Sequence, residues 1–129
     1  MIVLDASVVI AMFNPNDPHH DRAIEVVDEN AGDTLLIHPM TLAEVLVGAV
    51  QQGHATRRLA ELDSMGIRRS EPHADEPLLL AELRTTTRLR LPDCCVLAVA
   101  TRAPATLVTF DSALKRAAIG LNVRVLPNS

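Results

Sequence analysis

Met1-Ile2-Val3-Leu4-Asp5-Ala6-Ser7 opens the chain with three consecutive aliphatic residues that stop at a carboxylate, followed by a small residue and a hydroxyl. A short apolar run with nothing polar in it suits a strand buried on both faces, as in a parallel sheet. Asp5 then stands at the C-terminal end of that strand, the edge at which open α/β sheets bind their ligands.

Further along, aliphatic runs alternate with helical patterns. Val8–Phe13 reads as a short helix stopped by Asn14-Pro15-Asn16-Asp17-Pro18. Asp17 is placed as the cap of a second helix, with Pro18 at its first position, ending near Gly32. Thr34–Ile37 is a strand, Thr41–Val50 a helix closed by Gly53, and Ala55–Met65 a helix closed by Gly66. Ile67–Arg69 is a strand, Asp75 to about Arg90 a helix, and Pro92 to about Arg102 another. Ala105–Phe110 is a strand, Asp111–Ala118 a helix and Val123–Leu126 a last strand. This alternation predicts one α/β domain over residues 1–129, a three-layer α/β/α sandwich around a mostly parallel sheet of four or five short strands.

Composition narrows the function. The chain has 129 residues, 48% of them apolar but only 2% aromatic, so stacking platforms for nucleic-acid bases are scarce. No apolar run approaches the ~20 residues that span a bilayer, and a soluble, cytoplasmic protein is expected. Cys94 and Cys95 are adjacent in an apolar helix, which suits core packing rather than a disulfide or zinc site. The net charge of −4 is uneven: residues 1–50 carry Arg22 against eight acids, and residues 51–129 carry eleven bases against eight acids. A polyanion would need a bound cation or a local arginine patch to be held here.

Four acids share one kind of position. Asp5 and Asp111 each follow a strand and precede a helix, while Glu44 and Asp93 stand in first turns of helices. Each has an ordinary explanation: Thr41-Leu42-Ala43-Glu44 forms a capping box, Asp93 complements a helix dipole, and Asp5 and Asp111 are helix caps. Together they suggest more. In a doubly wound sheet all four point to one crevice. Two like charges about 4 Å apart repel by roughly 4 kcal/mol at an effective dielectric near 20, so such a crevice calls for a hard cation such as Mg²⁺.

Leu4-Asp5-Ala6-Ser7, the stretch Pro39–Val45, the stretch Leu91–Ala100 and Leu107–Asp111 resemble, in order and spacing, the successive blocks of a PIN domain, and the length resembles the VapC toxins of bacterial toxin–antitoxin systems. The resemblance implies a Mg²⁺- or Mn²⁺-dependent endoribonuclease. Asp5, Glu44, Asp93 and Asp111 match the family's catalytic acids. Asp5, Asp93 and Asp111 would hold the metal, and Glu44 the attacking water. Ser7 and Thr109 match the hydroxyls that orient those acids. The resemblance also implies a homodimer and a cognate antitoxin partner, with apolar faces at Ala23–Val27 and Leu42–Val50 available for an interface. One departure is Ser112-Ala113, where many members carry a further acid, so one metal or two stays open. Arg84, Arg88 and Arg90 are candidates for RNA phosphates, against the ordinary reading of a solvated helix face. His19-His20, His38 and His54 are expected to be structural or exposed.

Two other functions fit an α/β chain with acids at strand ends. A phosphoryl-transfer domain of haloacid-dehalogenase type needs a second Asp where Ser7 stands, and a receiver domain needs paired acids near the first strand and a late Lys. A catalytically inactive RNA- or protein-binding module would not need four intact acids.

Overall fold

A computed structural model of the chain describes residues 1–102 and 104–128. Among them, five strands and seven helices run in the order β1 (Ile2–Leu4), α1 (Ala6–Phe13), α2 (His20–Glu29), β2 (Leu35–Ile37), α3 (Pro39–Gln51), α4 (Ala55–Ser64), β3 (Ile67–Arg69), α5 (Glu76–Thr87), α6 (Leu91–Ala100), β4 (Thr106–Val108), α7 (Ser112–Gly120) and β5 (Arg124–Leu126). The strands form one sheet in the order β3-β2-β1-β4-β5, every pairing parallel. The three-layer α/β/α sandwich expected from the alternation is what the chain builds.

β1 is the central strand, and its side chains alternate between two cores. Ile2 and Leu4 pack with α1, α2, α3 and α4, while Val3 packs with α5, α6 and α7. All three are at most 3% exposed, which explains the unbroken apolar run. The sheet reverses its winding between β1 and β4, paired Ile2↔Thr106, Val3↔Leu107 and Leu4↔Val108. The residues after Leu4 and Val108 therefore leave the sheet side by side at its switch point.

Turn chemistry sets most of the boundaries. Gly53 (φ 74°) and Gly66 (φ 77°) take the left-handed conformation just past α3 and α4, where a Cβ would be strained. Several starts and stops differ from expectation, three of them with a visible cause. The Asp17 carboxylate accepts from the His19 N–H at 2.8 Å, closing a turn on itself, so α2 begins at His20 rather than Pro18. α3 begins at Pro39, capped by the His38 imidazole, whose Nδ1 accepts from the Met40 N–H at 2.9 Å. α5 stops at Thr87 because Arg88 turns left-handed (φ 64°) and Arg84 Nη1 donates to the carbonyls of Arg88 (2.9 Å) and Leu89 (2.8 Å). Cys94 and Cys95 are buried as free thiols, and burial pushes the Cys95 thiol up to about 11. Among the described residues no helix is long and apolar enough to cross a membrane.

Leu107, fully buried on β4, is expected to lose about 2–5 kcal/mol of stability on Leu107→Ala in urea denaturation. Leu78→Ala, on an exposed face of α5, is expected to stay within about 0.5 kcal/mol. Equal effects would contradict the assignment of the second core.

Candidate active site

Asp5 follows β1 and is 6% exposed. Its Oδ2 accepts from the Ser7 hydroxyl at 2.8 Å and from the Thr109 hydroxyl at 2.7 Å. Each hydroxyl is itself aimed by a backbone amide: Phe110 N–H donates to Ser7 Oγ at 3.1 Å, and Asp111 N–H donates to Thr109 Oγ1 at 3.0 Å. The β1–α1 turn and the β4–α7 turn are thus joined through one carboxylate oxygen. Asp5 makes no side-chain cap to α1, although it occupies the cap position.

Glu44 stands on α3. The capping box does not form, because α3 starts two residues before Thr41 and Thr41 is fully buried inside it. His38 caps the helix instead, which releases the Glu44 carboxylate from that duty. Asp93 lies in the first turn of α6, whose cap position belongs to Arg90. Asp111 does cap: its Oδ1 accepts from the Leu114 N–H at 2.8 Å, leaving Oδ2 uncommitted.

The acids lie near enough to act on one another electrostatically. Burial raises the Glu44 carboxyl above its ordinary range, with further pushes from the charges of Asp5 and Asp93. Burial also raises Asp93, followed by Asp5 and Asp111. Asp93 is raised even though a helix N-terminus favours its ionised form, so desolvation and like charge outweigh the dipole. Arg90 pulls both acids back down. Of the three arginines marked in the sequence, Arg90 is beside the acids, Arg84 is engaged in closing α5, and Arg88 is the exposed left-handed residue after it.

Among the described residues, no three His, Cys, Asp or Glu side chains are already gathered into a metal cage. The donor set still fits a hydrated hard cation. It is all carboxylate, carries excess negative charge, and leaves oxygens of Asp5, Glu44, Asp93 and Asp111 without hydrogen-bond partners among the described residues. Mg²⁺ keeps several waters and takes one or two carboxylates directly. A cleft of about 730 Å³ between α4 and β3 holds none of the four acids.

The histidines serve the fold. His20 Nδ1–H donates to the Ala11 carbonyl at 2.7 Å, and His38 Nε2 pairs with Glu76 Oε1 at 2.8 Å. His19 stacks on Phe110 at 4.3 Å, beside the Asp111 turn. Arg58, unmarked in the sequence, lies over the other phenylalanine, Phe13, at 3.9 Å from the ring centre. Nothing local in the sequence signals that pairing, since the two residues belong to different helices.

Comparison with known proteins gives a consistent answer. The sequence profile of the family described as PIN domain matches residues 2–120. Among curated protein sequences none matches at a significant level. Similar solved structures include Mycobacterium tuberculosis VapC20, described as a sarcin–ricin loop cleaving toxin (18% identity, TM-score 0.71, 91% of this chain and 95% of that chain). Others are VapBC2 of Rickettsia felis bound to a fragment of its promoter DNA (22%, 0.68, 97% and 97%) and VapBC-1 of nontypeable Haemophilus influenzae (17%, 0.70, 97% and 96%). At these identities the likeness is one of fold.

Two expectations follow. Thr109→Val removes a donor to a buried carboxylate and is expected to cost about 1–3 kcal/mol in urea denaturation; stability equal to the parent would contradict the geometry. The raised acids also set a pH dependence. A carboxyl whose native value is raised holds its proton more tightly folded than unfolded. The penalty for ionising it is absent below the ordinary carboxylate range and complete above the raised value, so metal-free stability falls as pH rises through that window. Asp93→Asn is expected to raise the metal-free thermal midpoint at neutral pH by about 2–5 °C, with little change in acid. An unchanged midpoint at neutral pH would contradict it.

Proposed function

Because this chain belongs to the PIN-domain family, we propose that it is a divalent-metal-dependent endoribonuclease and the toxin of a toxin–antitoxin pair, formed as a single catalytic domain over residues 1–129 and acting in the cytoplasm. One observation carries the reading. Asp5 and Asp93 stand at helix starts and Glu44 in the second turn of α3, yet none of the three caps its helix, and their charges act on one another instead.

Asp5 through Oδ1, Asp93, and Asp111 through Oδ2 would hold Mg²⁺ or Mn²⁺. The ion, when bound, supplies positive charge against the phosphate and acidifies water. Ser7 and Thr109 fix Asp5 so that its free oxygen faces the crevice. Glu44 is the suited proton acceptor, since a raised carboxyl lies closer to the working pH of a general base. It takes a proton from the attacking water as the new P–O bond forms and the bond to the 3′-oxygen breaks; the departing 3′-oxygen takes a proton from solvent, leaving a 5′-phosphate and a 3′-hydroxyl. Arg90 tempers the charge of Glu44 and Asp93 and would meet the RNA backbone there, with Arg84 and Arg88 as weaker candidates at the end of α5.

The solved relatives include toxins seen with their antitoxins, which supports a cognate antitoxin as partner. Met40, Val47 and Val50 leave an exposed apolar face on α3, which supports a homodimer through that helix.

Cleavage of a structured RNA is expected to stop with a chelator, return with Mg²⁺ or Mn²⁺, and fall by at least about a hundredfold on Asp5→Asn while circular dichroism stays native. Undiminished cleavage by Asp5→Asn would sink the reading, and silence of the parent chain would favour an inactive binding module.

A further inference from the structure

Glu44 is also one wall of a cleft of about 340 Å³ that includes none of the other three acids. The cleft lies between the end of α1, the middle of α3 and the start of α4. Its remaining polar lining is Asn14, Gln52 and Arg58, and Gly48 is part of its wall. Glu44 is the one anion in this lining and Arg58 the one cation.

Arg58 is held but not used. Phe13 covers one face of its guanidinium at 3.9 Å, and Nε is buried without a partner. Among the described residues its donors make no hydrogen bond or ion pair, whereas its neighbour Arg57 pairs with Glu61 at 3.4 Å. A planar guanidinium fixed by an aromatic ring loses little freedom on binding, and its fork of donors matches a phosphate. Gly48 points the same way. It sits inside α3 with an ordinary backbone, where alanine would be the better helix former, and a Cβ built there meets nothing within 4 Å. The space beside it is therefore open to a ligand.

Charge explains why a strand of RNA needs this contact. The layer that α1 and α3 belong to comes from the acidic part of the chain, where residues 1–50 contain one base, Arg22. A polyanion crossing it toward the acids is repelled unless a cation is brought in from elsewhere, and α4 brings Arg58. Resting on the nuclease reading, we propose that Arg58 is a phosphate-binding residue: RNA runs from Glu44 along this cleft, and the guanidinium takes a backbone phosphate flanking the one that is cleaved.

The test is fluorescence anisotropy of a labelled single-stranded RNA oligonucleotide in Mg²⁺ buffer over a series of salt concentrations, in the Asp5→Asn background. Arg58→Gln is expected to weaken binding about tenfold and to lower the slope of log K against log salt by about 0.7, the share of one phosphate on a single strand. Arg58→Lys is expected to keep most of the slope. Gly48→Met, which fills the cleft from a helix position that tolerates it, is expected to weaken binding while the thermal midpoint holds or rises. Unchanged affinity and slope in Arg58→Gln with a native circular dichroism spectrum would overturn the proposal. So would loss of binding to an acidic peptide without loss for RNA, which would make the cleft a protein-docking site. Failure of the nuclease reading shows separately, as absence of metal-dependent cleavage by the parent chain.

Discussion

The buried Asp5 carboxylate, held through a single oxygen by two neutral hydroxyls, is the contact on which the rest of the site depends. Ser7 and Thr109 donate at 2.8 and 2.7 Å, and each is steered by an amide of the β4–α7 turn. Hydrogen bonds to a charged acceptor contribute about 1.5–3 kcal/mol each, which fixes the side chain in this nearly closed position. A lysine or arginine would also satisfy Asp5, but it would cancel the charge and fill the space. Hydroxyls fix the carboxylate without neutralising it, so the negative charge is left for something from outside the chain.

Electrostatics then makes the site costly to the empty fold. Burial and mutual repulsion push Glu44 and Asp93 upward, and Arg90 offsets this only in part. A fold selected for stability alone would replace such acids or pair them. Carboxyls raised by desolvation and by one another are what a site arranged for a cationic ligand would carry, the reading proposed above. The same imbalance extends along the α1–α3 surface, where Glu44 and Arg58 line one open cleft.

Much of the fold was legible because its signals are local. Three-residue strands appear as bare aliphatic runs, and Gly53 and Gly66 announce left-handed stops. The acids were legible as a set because each stands at or within two turns of the start of an element. Their ordinary roles were not separable by spacing alone. Thr41 is the better cap former by residue type, yet the His38 imidazole takes the position, and this frees Glu44. Asp17 spends its carboxylate on a turn rather than a helix. Arg84 uses its guanidinium on the carbonyls that end α5, a role indistinguishable in the sequence from a solvated or RNA-facing arginine. Arg58 was illegible for a different reason: its position over Phe13 depends on how α4 packs against the end of α1.

The central claim is that four carboxylates from separate elements form one site that is satisfied only by a divalent cation. Calorimetric titration of Mn²⁺ into the metal-free chain at mildly acidic pH, in two buffers of different ionisation enthalpy, tests it most directly. A saturable binding event that releases protons, and is lost in Asp5→Asn and weakened in Asp93→Asn, is the predicted result, because the raised acids must give up their protons to the ion. No saturable binding, or binding indifferent to both substitutions, would contradict it.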